Sequence, residues 1–297
     1  MKKLIIITGL TASGKSGLGL EIARKYNGEI ISCDSVQVYK GLDIGSAKES
    51  IENRQEIKHH LIDIAEPSFD YNVGHFLEDC KNAVEECLSR NKLPIIVGGT
   101  GMYVKALLEG YTLGSEKHDE FRKEKEEKAL KEGNLSVWNE LKELDETLAN
   151  TVHFNNLKRV IRYLELKTFG EPEKTEPIFS NFNILALGID APKDKIYPKI
   201  NARVDEMVSD GLINEVKELI SSGLNLSNNC MNTIGYREVY QYLTGEIDYD
   251  RCIELIKQHT RNYAKRQLTF MKTIKGLNIV EKEEAKHLIE EFLNSEE

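Results

Sequence analysis

Cysteine is scarce and scattered: Cys33, Cys80, Cys87, Cys230 and Cys252 form no Cys-x-x-Cys pair. That spacing excludes a zinc knuckle and offers no disulfide framework. Long uncharged apolar runs are also missing, so no membrane span is expected, and the short apolar start reads as a core strand and not a signal peptide. Tryptophan occurs once, as Trp138, proline only six times, and neither an internal repeat nor a low-complexity linker is found. What remains is an ordinary soluble chain of 297 residues, 40% apolar and 30% charged, long enough for about two domains. A reducing cytoplasm is its expected home. The net charge of -9 argues on its face against a nucleic-acid partner, but the distribution of charge decides that question.

What is present begins at the amino terminus. Residues Lys2 to Ile7 read as an apolar strand, followed at once by Gly9-Leu10-Thr11-Ala12-Ser13-Gly14-Lys15-Ser16 and then by the helical spacing of Leu18, Ile22, Ala23 and Tyr26. Strand, glycine loop and helix in that order form a phosphate-binding loop. Gly9 and Gly14 let the backbone turn around an anion, amide hydrogens and the helix end point at it, and Lys15 adds a full positive charge. Ser16 is the expected magnesium ligand. The loop specifies a diphosphate or polyphosphate without specifying a nucleotide.

The chain then alternates strands and helices. Glu29 to Cys33 predicts a strand ending in Asp34-Ser35-Val36-Gln37-Val38-Tyr39, His59 to Ile64 another, Val73 to Arg90 a helix, and Pro94 to Val97 a buried parallel strand closed by Gly98-Gly99-Thr100-Gly101. This is an α/β pattern with a parallel sheet. From Glu116 to Glu146 charge replaces apolar periodicity, His153 to Lys167 is amphipathic, Pro172 and Pro177 punctuate a loop, and Ile184 to Ile189 restores a core strand. The expected organisation is a P-loop α/β core over residues 1–112, an inserted helical domain over 113–182, and a return to the core with a helical region over 183–297. Within that last part Ile196 to Ile220 is helical with a break at Asp210-Gly211, and a long helix runs from Asp250 to about Lys272. The tail from Glu281 offers Leu288, Ile289, Phe292 and Leu293 as a docking face.

Two departures separate this pattern from an ATPase or kinase. The strand Pro94 to Val97 ends without the acid that would hold water around magnesium; Asp34 stands nearest, suited either to the metal or to taking a proton. Between Arg251 and Lys275 the bases Arg251, Lys257, Arg261, Lys265, Arg266, Lys272 and Lys275 face the single acid Glu254, with Tyr263 and Phe270 interleaved. Such a helix can track a phosphate backbone, and Lys158, Arg159 and Arg162 add a second basic set. Group transfer to a nucleic acid accounts for both features. A small-molecule kinase, a non-catalytic RNA-binding module and a nucleotide-sensing structural protein are the competing readings.

The ordered set Gly9 to Ser16, Asp34 to Tyr39, Gly41 to Lys48, His59 to Asp63, Val97 to Tyr103, Ile234 to Glu238 and Thr260 to Gln267 resembles the tRNA isopentenyltransferase (IPP transferase) family over nearly the whole chain. The resemblance implies transfer of a dimethylallyl group from dimethylallyl diphosphate to adenosine 37 of tRNAs reading codons that begin with U, with Mg2+ as cofactor. It implies catalytic roles for Asp34, Thr100 and Arg203, and diphosphate contacts from Gly9, Leu10, Thr11, Ala12, Ser13, Gly14, Lys15 and Ser16. Contacts to the tRNA anticodon stem-loop are implied for Asp34, Ser35, Val36, Gln37, Thr100, Arg122, Lys158, Arg159, Arg237, Arg261, Lys265 and Arg266. From the residues alone Thr100 could equally cap the helix near Met102, and Arg203 could be a surface charge. Leu10 stands where the family usually has proline, and His153-Phe154-Asn155-Asn156 where it has His-Pro-Asn-Asp. A monomer is expected, with the basic surface open to RNA.

Overall fold

The computed structural model describes residues 2–111, 118–170 and 175–295; the expected boundary at residue 113, and Glu116 and Pro172, lie outside them. The chain divides into two compact units, Met1–Glu109 with Pro177–Glu297, and Gly110–Glu176.

The first unit is built on a six-stranded sheet in which every neighbouring pair is parallel, in the order β3-β2-β4-β1-β5-β6. Its elements begin with β1 (Lys2–Gly9), α1 (Lys15–Lys25), β2 (Gly28–Ser32), α2 (Ile51–Glu56), β3 (His59–His60), α3 (Val73–Ser89), β4 (Leu93–Gly98) and α4 (Gly101–Glu109). Leu4, Ile5, Ile6 and Ile7 of β1 have no exposed surface, each contributing about 1.5–3 kcal/mol by burial. Such an unbroken apolar run marks a strand covered on both faces.

The second unit holds α5 (Asp119–Glu132), α6 (Asn134–Leu144), α7 (Glu146–Ala149) and α8 (Leu157–Phe169). It has its own small core of Val137, Leu141, Ala149, Val152, Val160, Ile161 and Leu164. Trp138 packs against that core and its indole N–H reaches the carbonyls of Ala149 and Val152 at 3.1 and 2.9 Å. Glu165, fully buried, is gripped by Arg122 through two hydrogen bonds of 2.9 and 2.6 Å and by Arg162 at 2.6 Å. Burial works to raise its pKa, but the two guanidinium groups and the His118 amide hold it down at about 2.

The chain re-enters the first unit at Pro177 and continues as β5 (Phe182–Ile189), α9 (Lys193–Ser209), α10 (Leu212–Ser221), α11 (Tyr236–Leu243), α12 (Tyr249–Met271), β6 (Asn278–Val280) and α13 (Lys282–Asn294). Gly211, at φ 105°, separates α9 from α10, where the Asp210-Gly211 break was expected. α13 docks as its pattern predicted: Ala285 and Ile289 are buried among residues of α1, β1 and β5, with Leu288, Phe292 and Leu293 packed alongside. Strand β6 was not foreseen; three half-exposed residues carry no periodicity.

One expected strand is cut short. Only His59 and His60 pair with β2, because Leu61 and Asp63 turn into the left-handed region at φ 61° and 57°, which ends a strand. His60, paired with Ile31 of β2, is bonded to buried Glu29 at 2.7 Å, and Glu29 lies level with Pro94 near the start of β4. Arg90 bonds the same carboxylate at 3.2 and 2.6 Å, and the Cys87 thiol lies 3.5 Å from it. Among the described residues these three, Glu29, His60 and Cys87, are the one group with metal-ligand spacing. The guanidinium already supplies the positive charge, and burial pushes the Cys87 thiol up to about 12, so the cluster is a closed ion-pair network.

Candidate active site

The phosphate loop leaves β1 at its carboxyl end, where open α/β sheets keep their chemistry. Gly14 sits at φ 86° and Ala12 at φ 61°; both turn the backbone inward. Ser13 N–H is spent on the Leu10 carbonyl and Thr11 N–H on the Gln267 side chain at 2.8 Å. Among the described residues the amides of Ala12, Gly14, Lys15 and Ser16 have no hydrogen-bond acceptor, and the buried Ser13 hydroxyl has no partner. Unspent amides at a helix start, with an orphaned hydroxyl among them, are the donor set an anion requires. Lys15 completes it. Its pKa falls to about 8, first from burial, then from the nearby Arg203 charge, with Asp34 opposing both.

Leu10 behaves otherwise. It is 4% exposed and packs with Ile196, Ile200, Ala264 and Met271, so its side chain anchors the loop to α9 and α12 instead of facing a ligand.

The second wall starts at the end of β2. One carboxylate oxygen of Asp34 accepts the amides of Val36 at 2.9 Å and Gln37 at 3.3 Å, an Asx turn that fixes the side chain; among the described residues the other oxygen accepts no hydrogen bond. Gly98 brings β4 against this turn so closely that a Cβ there would meet the Cys33 carbonyl at 2.1 Å. Thr100 lies just outside the cavity wall. Its hydroxyl accepts Ser35 N–H at 3.0 Å, so it ties the two strand-end turns together instead of capping α4 by its side chain.

Between the walls lies a cavity of about 630 Å³ lined by Thr11, Lys15, Ser16, Asp34 to Gln37, Gly45 to Ala47, Arg203, Arg237 and Arg266, among others. Arg203 projects from α9 and makes no hydrogen bond or ion pair among the described residues; burial lowers its pKa while Asp34 is the largest opposing influence. Gln37 is committed within the chain: its amide oxygen accepts Ser32 Oγ at 2.9 Å, and its nitrogen donates to the carbonyls of Ser46 and Ala47 at 3.2 Å.

The basic residues divide. Arg237 pairs with buried Glu238 at 2.7 Å, which also holds His259 at 2.7 Å. Arg261 donates to Asn201 at 2.7 Å, Arg266 lies over Tyr263 at 5.8 Å, and Lys265 lies over Tyr197 at 6.0 Å with its surface exposed. Arg122, Lys158 and Arg159 belong to the second unit, where Arg159 donates to the Tyr163 hydroxyl at 2.9 Å. Gln267 and His259 escaped sequence reasoning. Gln267 links the phosphate loop to Gly99 O at 3.0 Å; the sequence offered it only as the last residue of the family-like stretch Thr260 to Gln267, without a role.

A loop of unspent amides facing an Asp-centred turn, with arginines between, at the carboxyl end of a parallel sheet defines a P-loop-like α/β protein. Comparison with known proteins agrees: residues 37–274 match the description of the IPP transferase family. The chain is 40% identical over 294 residues to a tRNA dimethylallyltransferase of Acetivibrio thermocellus, spanning 96% of this chain and 93% of that one. It is 43% identical over 281 residues to another from Oceanobacillus iheyensis, at 92% and 89% coverage. A crystal structure of the tRNA isopentenylpyrophosphate transferase of Bacillus halodurans superposes with a TM-score of 0.72 at 35% identity, covering 99% and 96% of the two chains. A eukaryotic dimethylallyltransferase captured acting on tRNA gives 0.75 at 30% identity, covering 99% and 80%. The chain belongs to the IPP transferase family, whose activity is transfer of a dimethylallyl group to adenosine in tRNA.

Proposed function

We propose that the chain moves the dimethylallyl group of dimethylallyl diphosphate to N6 of adenosine 37, beside the anticodon, in tRNAs reading codons that begin with U. The products are N6-isopentenyladenosine and diphosphate. The observation that carries this reading is the single cavity joining Lys15, Ser16 and Arg203 to the Asp34–Gln37 turn: a leaving-group site and an acceptor site share one space.

The exocyclic nitrogen is a poor nucleophile because its lone pair is delocalised into the ring. Asp34, fixed by two amides through one oxygen, takes the N6 proton on the other as the new C–N bond forms. The C–O bond to the diphosphate breaks in the same step. Negative charge gathering on the leaving oxygen meets Lys15, Arg203 and the amides of residues 12 and 14–16, donors already aimed there. Thr100 holds Ser35, and with it the turn, in register. The unspent amides and the Ser13 hydroxyl fit a magnesium diphosphate; Ser16 would help hold Mg2+, which when bound would withdraw charge from the diphosphate.

Adenosine 37 must leave its stack, at a cost of only a few kcal/mol in a single-stranded loop, to meet residues 34–37. Arg237, Arg261, Lys265 and Arg266 grip backbone phosphates, as do Lys158 and Arg159, while Arg122 serves the anticodon stem from the position Glu165 gives it. Among the described residues no helix is long and apolar enough to cross a membrane, and all five cysteines are free and buried.

Labelled dimethylallyl diphosphate incubated with unmodified tRNA is expected to yield labelled N6-isopentenyladenosine after digestion. Retention of all label in the donor, or phosphate transfer from ATP in its place, would overturn the proposal.

A further inference from the structure

The loop Gly41 to Lys48 supplies Gly45, Ser46 and Ala47 to the cavity, yet what fixes it lies outside the cavity. Glu215, in the first turn of α10, accepts the amides of Asp43 and Ile44 on one oxygen at 3.0 and 2.7 Å and that of Gly45 on the other at 3.1 Å. The second oxygen also accepts the hydroxyl of fully buried Tyr236 at 2.6 Å. A carboxylate holding three successive amides and a phenol specifies one loop conformation, because releasing it strands a buried hydroxyl and a charge. The packing agrees: a Cβ on Gly45 would meet the Tyr236 ring at 2.6 Å. The next two carbonyls of the loop, Ser46 and Ala47, receive the Gln37 amide, and the backbone N–H of Gln37 is one of the two that fix Asp34. Hydrogen bonds joined by the Gly45–Ser46 backbone and by Gln37 itself therefore link Glu215 to the reacting carboxylate.

We propose that Glu215 is a positioning residue for the acceptor reaction: it sets the loop at 43–45, and through Gln37 the placement of Asp34, without touching either substrate. This rests on the function proposed above. The diphosphate cradle draws on none of these contacts, so the effect is confined to the acceptor side.

The test is single-turnover prenyl transfer by the full chain, with donor affinity and amide hydrogen exchange measured alongside. Glu215→Ala is expected to slow transfer about 100-fold and Glu215→Gln about 10-fold, the scale of a slight misplacement of a reacting group. Donor Kd should stay within about twofold, since the cradle is untouched. Exchange should quicken at the amides of residues 43–45 and also at Val36 and Gln37. Tyr236→Phe, which removes one of four contacts and keeps the packing, is expected to show the same pattern at about threefold; it keeps the test open if Glu215→Ala does not fold. Quickened exchange limited to 43–45, or a donor affinity that falls as far as the rate, would overturn the inference. If the unaltered chain transfers no label, the functional reading fails; if it does and the Glu215 variants match it, only the role of Glu215 fails.

Discussion

The two walls of the cavity are made in opposite ways. The phosphate side comes from eight consecutive residues whose chemistry is mostly main-chain: unspent amides, glycine turns and one lysine. The proposed acceptor side is assembled from β2, the loop at 41–48, β4, α10, α11 and α12, and is held by side chains such as Glu215, Gln37 and Thr100, while Arg203 of α9 and Gln267 of α12 serve the phosphate side. The chemistry of a wall made of backbone does not rest on every side chain in it, as Leu10 shows by packing into the core. A wall made of side chains fails when one of its supports is lost.

That contrast orders the expected effects. Lys15→Ala, which removes the one charged side chain of the loop, is expected to lower kcat/KM by at least about 10³-fold, the scale of losing an electrostatic clamp in a dry site. Steady-state kinetics against donor concentration would show it, and a loss under tenfold would break the comparison. Neutralising Lys265 and Arg266 together is expected to weaken all substrate tRNAs alike by about tenfold at moderate salt and to reduce the slope of log K against log salt by up to about 2. Unchanged binding across a salt titration would show that this part of α12 merely faces solvent.

Two milder effects follow from charge. On the proposed reading Lys15 binds the diphosphate in its protonated form, and its pKa lies near 8, so donor affinity measured by calorimetry should fall about tenfold between pH 7 and about 9. Arg203 neutralised to Gln should move that midpoint upward, because the arginine's charge helps depress it. In the second unit Glu165 is held at about 2 against an ordinary 4.5. A carboxyl depressed in the folded state contributes stability that is full above pH 4.5 and disappears as pH falls toward 2. Fluorescence of the sole tryptophan, Trp138, reports that unit, and its urea midpoint should drop through this window; in Glu165→Gln the dependence should flatten. The smallest effect concerns Asn156, which precedes α8 without a side-chain cap bond. Asn156→Asp, placing a carboxylate at the helix's positive end, should stabilise that unit by about 0.5 kcal/mol.

The same contrast explains what could be read from the chain. The phosphate loop, β1, β4, β5 and the docking face of α13 were legible because each is a local pattern of periodicity or spacing. The place of Asp34 in the cavity was legible because it follows a strand end beside that loop. The roles of Glu215, Glu238, His259 and Gln267 were not, since their partners lie 20 or more residues away in most cases and a polar residue on an amphipathic helix reads as solvated. The expected strand at His59 to Ile64 erred for a related reason: alternation continued past His60, but Asp63 turns toward Lys48 and Arg54, with Arg54 at 2.9 Å, and that contact has no local signature.

The central claim is that Asp34 receives the acceptor's proton in the space where the diphosphate departs. Rapid mixing of donor with a preformed complex of Asp34→Asn and unmodified tRNA tests it most directly. Product formation at least about 10²-fold slower than in the unaltered chain, with tRNA affinity essentially unchanged, is the expected result. A rate close to that of the unaltered chain would contradict it.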